Sequence, residues 1–566
     1  MVIIMKVFTY YDETAHRAAN ACGRDYTSVY LPLMFKNMGI TSCPLSPSEL
    51  LDGTPGEGDI LFVGSDRMDA ERSDALKRAA EKGCLIVGFG TDVTNELFGC
   101  SAQGLPVADD PYQIVGYFTF QGQSEPLPVL GAFARLSPSG VDTAGVITAG
   151  GEEVPGCLRT RTTCYFAFDL PATLWRCADG RPSTTAIPPF PVGRVPDGCV
   201  LPDDYNYEIA YADCYQRFLE GLIREAGMPS IFPLPPQGDQ AADLVLYFAG
   251  DDDASSGEIN MIASERMHER GLPYHMNLMP TEDGKGFVIT REEAELICSR
   301  GQEISIHYNF LSYPYTPEGW KTQHDLYLAA FGKPAIGPVN HCLVQTGSSA
   351  ERCRLAKEQG ALGDNNKFQN HCDHNDINAF NLIGYAFGSA FPRFTIDDAA
   401  HGNQEIGFCE VYGSYYEPRV YEKTEEEYAK IYRYLDAGVF YGRTLQLFFH
   451  PHYISDIITP AAPALEALDA AIAYVKQKGW QVVYCGPDAL TYWWHDRAAC
   501  RIQKVTPQGF ELDNPTGRPL TLRLPDGVRD ITVDGVPATA ERKSIAGESA
   551  LLLTLTARKA TVAYTR

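Results

Sequence analysis

Three consecutive aspartates, Asp251, Asp252 and Asp253, follow an apolar run in the segment ADLVLYFAGDDDASSG. Asp, Ser and Gly are common turn residues, so a solvated turn that ends a strand is the simplest interpretation. Adjacent carboxylates repel one another, and a site that uses concentrated negative charge is the other interpretation. In that case the aspartates would supply a metal ligand beside a general base.

Histidines recur at the ends of other apolar segments in the same half of the chain. His275 lies in PYHMNLMP, His307 in QEISIHYNF and His341 in PVNHCLVQTG, whereas His450 and His452 follow TLQLFF. A single histidine after a strand is more often a hydrogen-bonded loop residue than a ligand. Their recurrence favours a shared site, because the carboxyl ends of parallel barrel strands open at one mouth. Imidazole and carboxylate groups that converge there are ligands for Zn²⁺ or a similar divalent ion.

Metal-assisted hydrolysis is the chemistry that this set of residues would support. A divalent ion lowers the pKa of a bound water and polarises an amide or ester carbonyl. An aspartate can accept the proton of that water, and an imidazolium can donate one to the leaving amine or alkoxide. Repulsion among the aspartates raises the pKa of at least one carboxylate, and a cation offsets that effect for its ligand.

A second polar cluster, KFQNHCDHND, places His371 and His374 at a spacing that puts both rings on one face of a helix. A polar loop that lines the mouth of the barrel is the favoured interpretation of this cluster, with a contact to substrate or metal as the alternative. Aromatic residues nearby can stack on sugar rings or simply pack in the core. The candidate substrate contacts are Asp253, His275, Asp364, His371, His374, His452 and Trp320.

The elements that would position these residues form a repeating pattern between residues 240 and 500. Apolar segments alternate about seven times with amphipathic helices such as REEAELICSR and APALEALDAAIAYVKQKG. This alternation predicts a distorted (β/α)7 barrel with functional groups at the carboxyl ends of its strands. Residues 1–235 predict a separate α/β domain that ends in a proline-rich linker. Residues 501–566 have short alternating strands and turns, which predict a β-sandwich.

Composition restricts the classes of partner. The chain has 566 residues, with 47 basic and 72 acidic side chains and a formal net charge of −25. That balance argues against a nucleic-acid or anionic-membrane partner, since both require basic patches. The sequence has no apolar run long enough to predict a membrane span. The first residues resemble a strand and not a signal peptide, and the 16 cysteines are scattered. A cytoplasmic protein with reduced thiols is therefore expected.

The ordered segments DLVLYFAGDDD, QEISIHYNF, TLQLFFHPHY and WQVVYCGPDALTYWWHDR resemble the polysaccharide deacetylase barrel (NodB-like, carbohydrate esterase family 4). The resemblance covers residues 240–500. It implies a metal-dependent hydrolase that removes an acyl group, foremost N-acetyl, from a carbohydrate, with Zn²⁺ as the first candidate for the metal. In that family the first of two paired aspartates is the general base and the second is a metal ligand. This implies Asp251 as base and Asp252 as ligand, with Asp253 as the alternative.

The remaining family roles carry over only in part. His307 matches the first metal histidine, but Leu311 stands where the family has the second. His341, at the end of the neighbouring segment, is the nearest replacement as third ligand. The arginine-containing motif that positions the base in the family is missing. His450 matches the late histidine that acts as general acid, and His452 would face the same side if the strand continued.

The N-terminal region resembles a flavodoxin-like, class I glutamine amidotransferase-like domain. The segment GCLIVGFGTD would contain its nucleophile turn, but Phe89 stands where that family has a cysteine, and Cys84 comes too early. Without a thiolate nucleophile this domain is expected to be non-catalytic, and it could form a homo-oligomer contact.

Two alternatives to a deacetylase remain open from the sequence. A glycoside hydrolase needs two carboxylates about 5–9 Å apart, and Asp252 with Glu410 is a conceivable pair. A carbohydrate-binding protein on a decayed enzyme scaffold would explain Leu311 and the missing arginine motif.

Overall fold

The computed structural model describes the chain except residues 1–2, 91–94, 104–107, 124, 185–191, 201, 203–205, 207, 254, 369–383, 419 and 421–423. It shows a mixed α/β protein with several sheets. None of the helices in the described ranges has the length and apolar character of a membrane span. The described cysteines are all free thiols.

The N-terminal region contains a nine-stranded mixed sheet in the order β2-β1-β3-β4-β11-β10-β9-β6-β7, whose first five strands are parallel. Its strands are β1 Val7–Tyr10, β2 Ser42–Leu45, β3 Ile60–Val63, β4 Leu85–Phe89, β6 Ile114–Phe120, β7 Leu127–Leu130, β9 Asp142–Ala149, β10 Glu152–Arg159 and β11 Thr163–Phe166; β5 Cys100–Gln103 and β8 Arg135–Pro138 form a separate pair. The helices are α1 Glu13–Ala21, α2 Tyr30–Met38, α3 Pro47–Leu51, α4 Ala70–Glu81, α5 Asn95–Phe98, α6 Leu170–Asp179 and α7 Tyr211–Glu225, with 3-10 turns at Thr27–Val29 and Val195–Gly198. The parallel strands agree with the predicted α/β pattern. The amidotransferase-like assignment of residues 1–235 stays a prediction.

The middle region forms a curled parallel half-barrel in the order β16-β15-β14-β13-β20, with β21 paired to the first half of β13. A three-stranded sheet, β17-β19-β18, follows β16, and Tyr416 bridges to Phe448 of β20. The strands are β13 Leu244–Asp251, β14 His275–Leu278, β15 Glu303–Tyr308, β16 Val339–Asn340, β17 Gly363–Lys367, β18 Arg393–Ile396, β19 Glu405–Tyr412, β20 Thr444–Phe448 and β21 Val482–Cys485. The helices are α8 Gly257–Glu269, α9 Arg291–Ser299, α10 Pro317–Phe331, α11 Ser349–Glu358, α12 Glu425–Tyr441, α13 Pro451–Ile454, α14 Pro463–Lys478 and α15 Pro487–Ala499, with 3-10 turns at His341–Leu343 and Ala399–His401.

Strand β13 is the centre of this sheet and carries the aspartate cluster at its end. All eight of its residues are buried, because both faces of a parallel sheet are covered. Gly250, just before the cluster, allows close approach of the next chain segment. A Cβ there would overlap the carbonyl oxygen of Phe449 and the hydroxyl of Tyr274. The tyrosine hydroxyl donates to that carbonyl at 2.5 Å, which ties β13, β14 and the end of β20 together beside Asp251.

The C-terminal region forms two antiparallel sheets, β22-β23-β29-β25-β26 and β12-β24-β28-β27. Its strands are β22 Arg501–Thr506, β23 Gly509–Asp513, β24 Leu520–Leu524, β25 Arg529–Val533, β26 Val536–Pro537, β27 Glu541–Ile545, β28 Glu548–Leu555 and β29 Lys559–Thr565; β12 Ser230–Ile231 comes from the linker segment before residue 240. The short strands predicted for residues 501–566 are thus present. An accessory role for this region stays a prediction.

Candidate active site

The carboxylate of Asp253 lies between two histidine rings. Its Oδ1 is 3.0 Å from Nε2 of His307, and its Oδ2 is 3.1 Å from Nε2 of His341. His450 approaches Oδ2 from another side, with Nε2 at 3.8 Å. Asp251 completes the cluster, since its Oδ2 is 3.5 Å from Nε2 of His307. Groups that are far apart in the sequence therefore meet at the carboxyl ends of β13, β15 and β20.

The local structure presents the ring nitrogens to the carboxylate. His307 is the penultimate residue of β15, and its Nδ1 faces the carbonyl oxygen of Val339 at 3.2 Å. A neutral imidazole that donates from Nδ1 to this carbonyl keeps the lone pair on Nε2 free for a ligand. His341 begins a 3-10 turn directly after β16, and its Nδ1 lies 3.5 Å from Oδ1 of Asn309.

The donor set of Asp253, His307 and His341 fits a divalent metal ion. One ligand atom from each of the three lies within 4.8 Å of the other two. The separations of 3.0 and 3.1 Å are close to the roughly 3.3 Å between ligand atoms expected for bonds of about 2.0–2.1 Å in a tetrahedral zinc site. Nε2 of His307 and Oδ1 of Asp253 are buried, and among the described residues neither has a hydrogen-bond partner in suitable geometry. A cation would satisfy both atoms.

The charges in this cluster are strongly coupled. Burial favours the neutral form of Asp253, but His307 and the neighbouring imidazoles outweigh it and hold the pKa of the carboxyl well below its usual value. Burial disfavours the charged form of His341, yet Asp253 raises the pKa of this ring to about 10. Protons thus occupy the ring nitrogens in the absence of a cation, and metal binding would release them.

Asp251 is held by an inward chain of hydrogen bonds that sequence reasoning did not find. Asn277 donates its side-chain N–H to Oδ1 of Asp251 at 2.8 Å, which leaves the amide oxygen 2.9 Å from Nε2 of His275. Nδ1 of His275 lies 2.9 Å from Oε2 of Glu303. The amide oxygen and the carboxylate both accept, so both ring nitrogens carry protons and the buried ring is an imidazolium. His275, predicted to contact substrate, instead supports Asp251 from behind.

The predicted metal ligand Asp252 does not face the histidine cluster. Its Oδ1 accepts a hydrogen bond from the backbone N–H of Met279 at 2.8 Å, and its Oδ2 lies 3.5 Å from the side-chain amide of Asn260. Burial raises the pKa of Asp252 to about 7. The turn after β13 explains the difference, since the N–H of Ser255 bonds the carbonyl of Asp252 and the chain reverses there. Asp253 therefore occupies the position that was assigned to Asp252.

His450 is paired with a carboxylate that the sequence did not reveal. Its Nδ1 contacts Oε1 of Glu417, and both side chains are buried. Burial opposes protonation, but Glu417 and Asp253 together raise the pKa of His450 well above the usual range. Glu417 lies in the irregular segment after β19, with a positive φ of 46°, where no hydrophobic pattern or motif marks it. Only its place beside β20, set by the Tyr416–Phe448 bridge, makes the pairing visible.

His452 lies next to His450 for a different reason from the one expected. Strand β20 ends at Phe448, and helix α13 begins at Pro451, so His452 is on a helical turn and not on a continued strand. Its ring centroid is 5.2 Å from that of His450 and 4.1 Å from that of Tyr453. Burial lowers the pKa of His452, and this ring remains neutral beside the charged His450.

Other predicted contacts lie in the packed interior. Trp320 is fully buried against Tyr308, Phe310 and Tyr315, so its ring faces are covered by protein and the predicted sugar contact is wrong. Asp364 is buried and accepts from Arg352 at 2.8 Å, so it also serves an internal ion pair.

Glu410, the carboxylate considered for a glycosidase pair, is neutralised in the same network. Arg352 contacts its Oε1, and Nζ of Lys367 is 3.5 Å away. This carboxylate therefore serves an internal ion-pair network with two buried cations. Leu311, at the position of the family's second histidine, is exposed and follows a turn at Asn309. His371 and His374 lie outside the described residues.

No protein-family model and no curated protein matches the chain. Among solved structures it is similar to an exo-β-1,4-mannosidase from Opitutaceae bacterium strain TAV5, with 15% identity, a TM-score of 0.23, and coverage of 30% of this chain and 32% of that one. A putative polysaccharide deacetylase from Mycobacterium smegmatis has 14% identity and a TM-score of 0.32 over 46% of this chain and 94% of that one. A CE4 family pseudoenzyme from Bacillus anthracis has 10% identity and a TM-score of 0.25 over 44% and 65%.

The chain thus spans about a third of the mannosidase. All three likenesses are too weak to bear on activity.

Proposed function

We propose that this protein is a metal-dependent hydrolase that removes an acyl group, foremost N-acetyl, from a carbohydrate. One observation carries the proposal: Asp253 lies within 3.1 Å of ring nitrogens of both His307 and His341, with Asp251 and His450 beside it. Solvated turns do not gather five such groups around one point with three of them, Asp251, His307 and His450, buried.

Asp253, His307 and His341 would hold the divalent ion, with Zn²⁺ as the first candidate for this nitrogen and oxygen donor set. When bound, such an ion lowers the pKa of a water molecule and polarises the carbonyl group of the substrate.

Asp251 is the candidate general base. Burial raises its pKa, although His307 opposes the shift, and a carboxylate with a raised pKa is a stronger base near neutral pH. Asn277 fixes one of its oxygens and leaves the other directed toward the cluster. The buried imidazolium of His275 supplies positive charge behind the amide, where the deacetylase family uses an arginine.

His450 is the candidate general acid. Contact with Glu417 holds the ring protonated and fixes its orientation through Nδ1, so Nε2 points to Asp253 and can donate a proton to the leaving amine or alkoxide. The acid and the base therefore flank the candidate metal position. This arrangement is that of a hydrolase for amide or ester bonds.

The carbohydrate substrate is inferred from the resemblance of the ordered segments to the deacetylase family. The test is acetate release from a panel of N-acetylated and O-acetylated oligosaccharides by the full chain. We expect release with Zn²⁺ present, loss after chelation and recovery when Zn²⁺ is returned. The Asp251→Asn variant should retain its metal and lose turnover. Glycoside cleavage that survives chelation would contradict the proposal, as would saccharide binding without turnover of any substrate in the panel.

A further inference from the structure

A cavity of about 70 Å³ lies where the N-terminal helices, the end of the half-barrel and the C-terminal strands meet. Arginines outnumber carboxylates among its charged lining residues, which are Arg217, Arg393, Arg443, Arg497 and Arg523 against Asp213 and Glu220. Burial raises the pKa of both Asp213 and Glu220, and the neighbouring arginines oppose that shift. The cavity therefore carries an excess of buried positive charge.

Arg497 is held by backbone carbonyl groups. It is 2% exposed, and its guanidinium donates to the backbone carbonyls of Asn37, Ile231 and Phe232 at 2.8–3.2 Å. Among the described residues it forms no ion pair with a carboxylate, and burial lowers its pKa to about 10. Gly39, with φ of +71°, permits this approach, because a Cβ there would lie 2.5 Å from Nη2 of Arg497.

Arg393 and Arg523 have weak partners for buried cations. Nη2 of Arg393 is 3.4 Å from Asp213, Nη1 of Arg523 is 3.5 Å from Glu220, and Nη2 of Arg523 is 3.4 Å from Glu548. Each of these arginines also has a buried Nε with no hydrogen-bond partner among the described residues. An unsatisfied charged donor in the interior is costly, so a ligand that accepts from both would be stabilising.

We propose that this cavity is a binding site for a small oxyanion of the phosphate or sulfate class. Guanidinium groups present paired donors that match the oxygens of such anions. The volume admits a small tetrahedral anion, and the aromatic walls of Phe232 and Trp494 limit screening by water. The anion would join β18 and β24, which carry Arg393 and Arg523 and come from distant parts of the chain, and would stabilise the folded state by mass action. This site is independent of the candidate metal position.

The experiment is equilibrium dialysis of the full chain against radiolabelled inorganic phosphate, at constant ionic strength and with a chelator present so that phosphate cannot bind a metal. We expect about one phosphate per chain, displaced by sulfate, and at least tenfold weaker binding in Arg523→Met and Arg393→Gln. The exposed Arg17→Gln and the cluster variant His307→Gln should bind like the wild type, which separates this site from the proposed hydrolase.

Absence of saturable phosphate binding to the wild type would overturn the proposal, as would undiminished binding in both arginine variants. If the arginine variants fail to fold, wild-type crystals soaked in selenate give the answer. An anomalous peak between Arg393 and Arg523 supports the site, and selenium density confined to other places overturns it.

Discussion

Nε2 of His307 lies 3.0 Å from Oδ1 of Asp253, and both atoms are buried at the carboxyl ends of β15 and β13, the two strands that flank β14. The second aspartate of the triplet faces backbone N–H and side-chain amide groups instead. This difference between adjacent carboxylates allows the proposed metal ligand to be identified by direct measurement.

The first prediction concerns Asp253 and its neighbour. Asp253→Asn should weaken Zn²⁺ binding at least about 100-fold, because it removes a charged ligand. Loss of a direct ligand should lower metal affinity at least as much as loss of a side chain that only hydrogen-bonds to a ligand. Asp252→Asn is the matched control, and its Zn²⁺ affinity should remain within about tenfold of the wild type. Loss of a side chain that is hydrogen-bonded to a metal ligand lowers metal affinity about 10–100-fold, and Asp252 has no such bond to a proposed ligand. Metal titration followed by elemental analysis measures both. Loss of metal in Asp252→Asn with retention in Asp253→Asn would contradict this assignment.

The second prediction concerns Glu417. Glu417→Gln should lower kcat by about 10²–10⁴, because His450 would lose the partner that orients and charges it. The carboxylate raises the pKa of His450, so its removal should shift the alkaline limb of the pH–rate profile to lower pH. Metal content should not change. The exposed Glu426→Gln provides the control, and an unshifted alkaline limb in Glu417→Gln would exclude His450 as the acid.

The third prediction concerns the support of Asp251. Asn277→Leu keeps the side-chain size but removes the N–H that holds Asp251, so kcat should fall roughly 10–100-fold, as for other residues that orient reacting groups. Affinity for Zn²⁺ and for saccharide should be nearly unchanged. Asn20→Leu on α1 is the control for the substitution itself. A variant that loses metal or saccharide affinity as much as kcat would point to a structural role instead.

The sequence predicted the strands of the half-barrel better than the geometry at their ends. The segment DLVLYFAGDDD gave β13, and apolar runs marked β14, β15 and β20, because a parallel sheet buried on both faces leaves continuous hydrophobic segments. Strands β18 and β19 were not predicted, since β19 alternates less clearly and begins with one exposed and two half-buried residues.

The roles of the site residues could not be predicted, because they depend on non-local contacts that leave no local pattern in a single sequence. The choice among Asp251, Asp252 and Asp253 is set by a turn after β13, and a one-residue shift exchanges their roles. Glu417 reaches His450 only through a bridge between segments more than 30 residues apart. Trp320 was placed wrongly because an aromatic residue on a helix has the same local signature whether it packs inward or faces a ligand.

The last prediction uses the buried His275 ring to test the chain behind Asp251 by stability alone. Burial disfavours the charged ring, but Asp488 and Glu303 together raise its pKa from 6.5 to about 9. Because the folded state binds the proton more tightly, this contribution is fully present below about pH 6.5 and is lost as the pH rises through about 9.

The expected contribution is on the order of 3 kcal/mol in the free energy of unfolding. Burial is the chief reason that the pKa of Asp488 is raised to about 7. Its contribution to stability is lost at lower pH than that of His275, as the pH rises from about 3.8 to about 7. Urea unfolding between pH 6.5 and 9 should therefore show a steeper loss of stability in the wild type than in His275→Gln. The exposed His268→Gln should keep the wild-type slope. Equal slopes for the wild type and His275→Gln would mean that the ring is neutral, and the hydrogen-bond chain from Glu303 to Asp251 would then have to run with different donors.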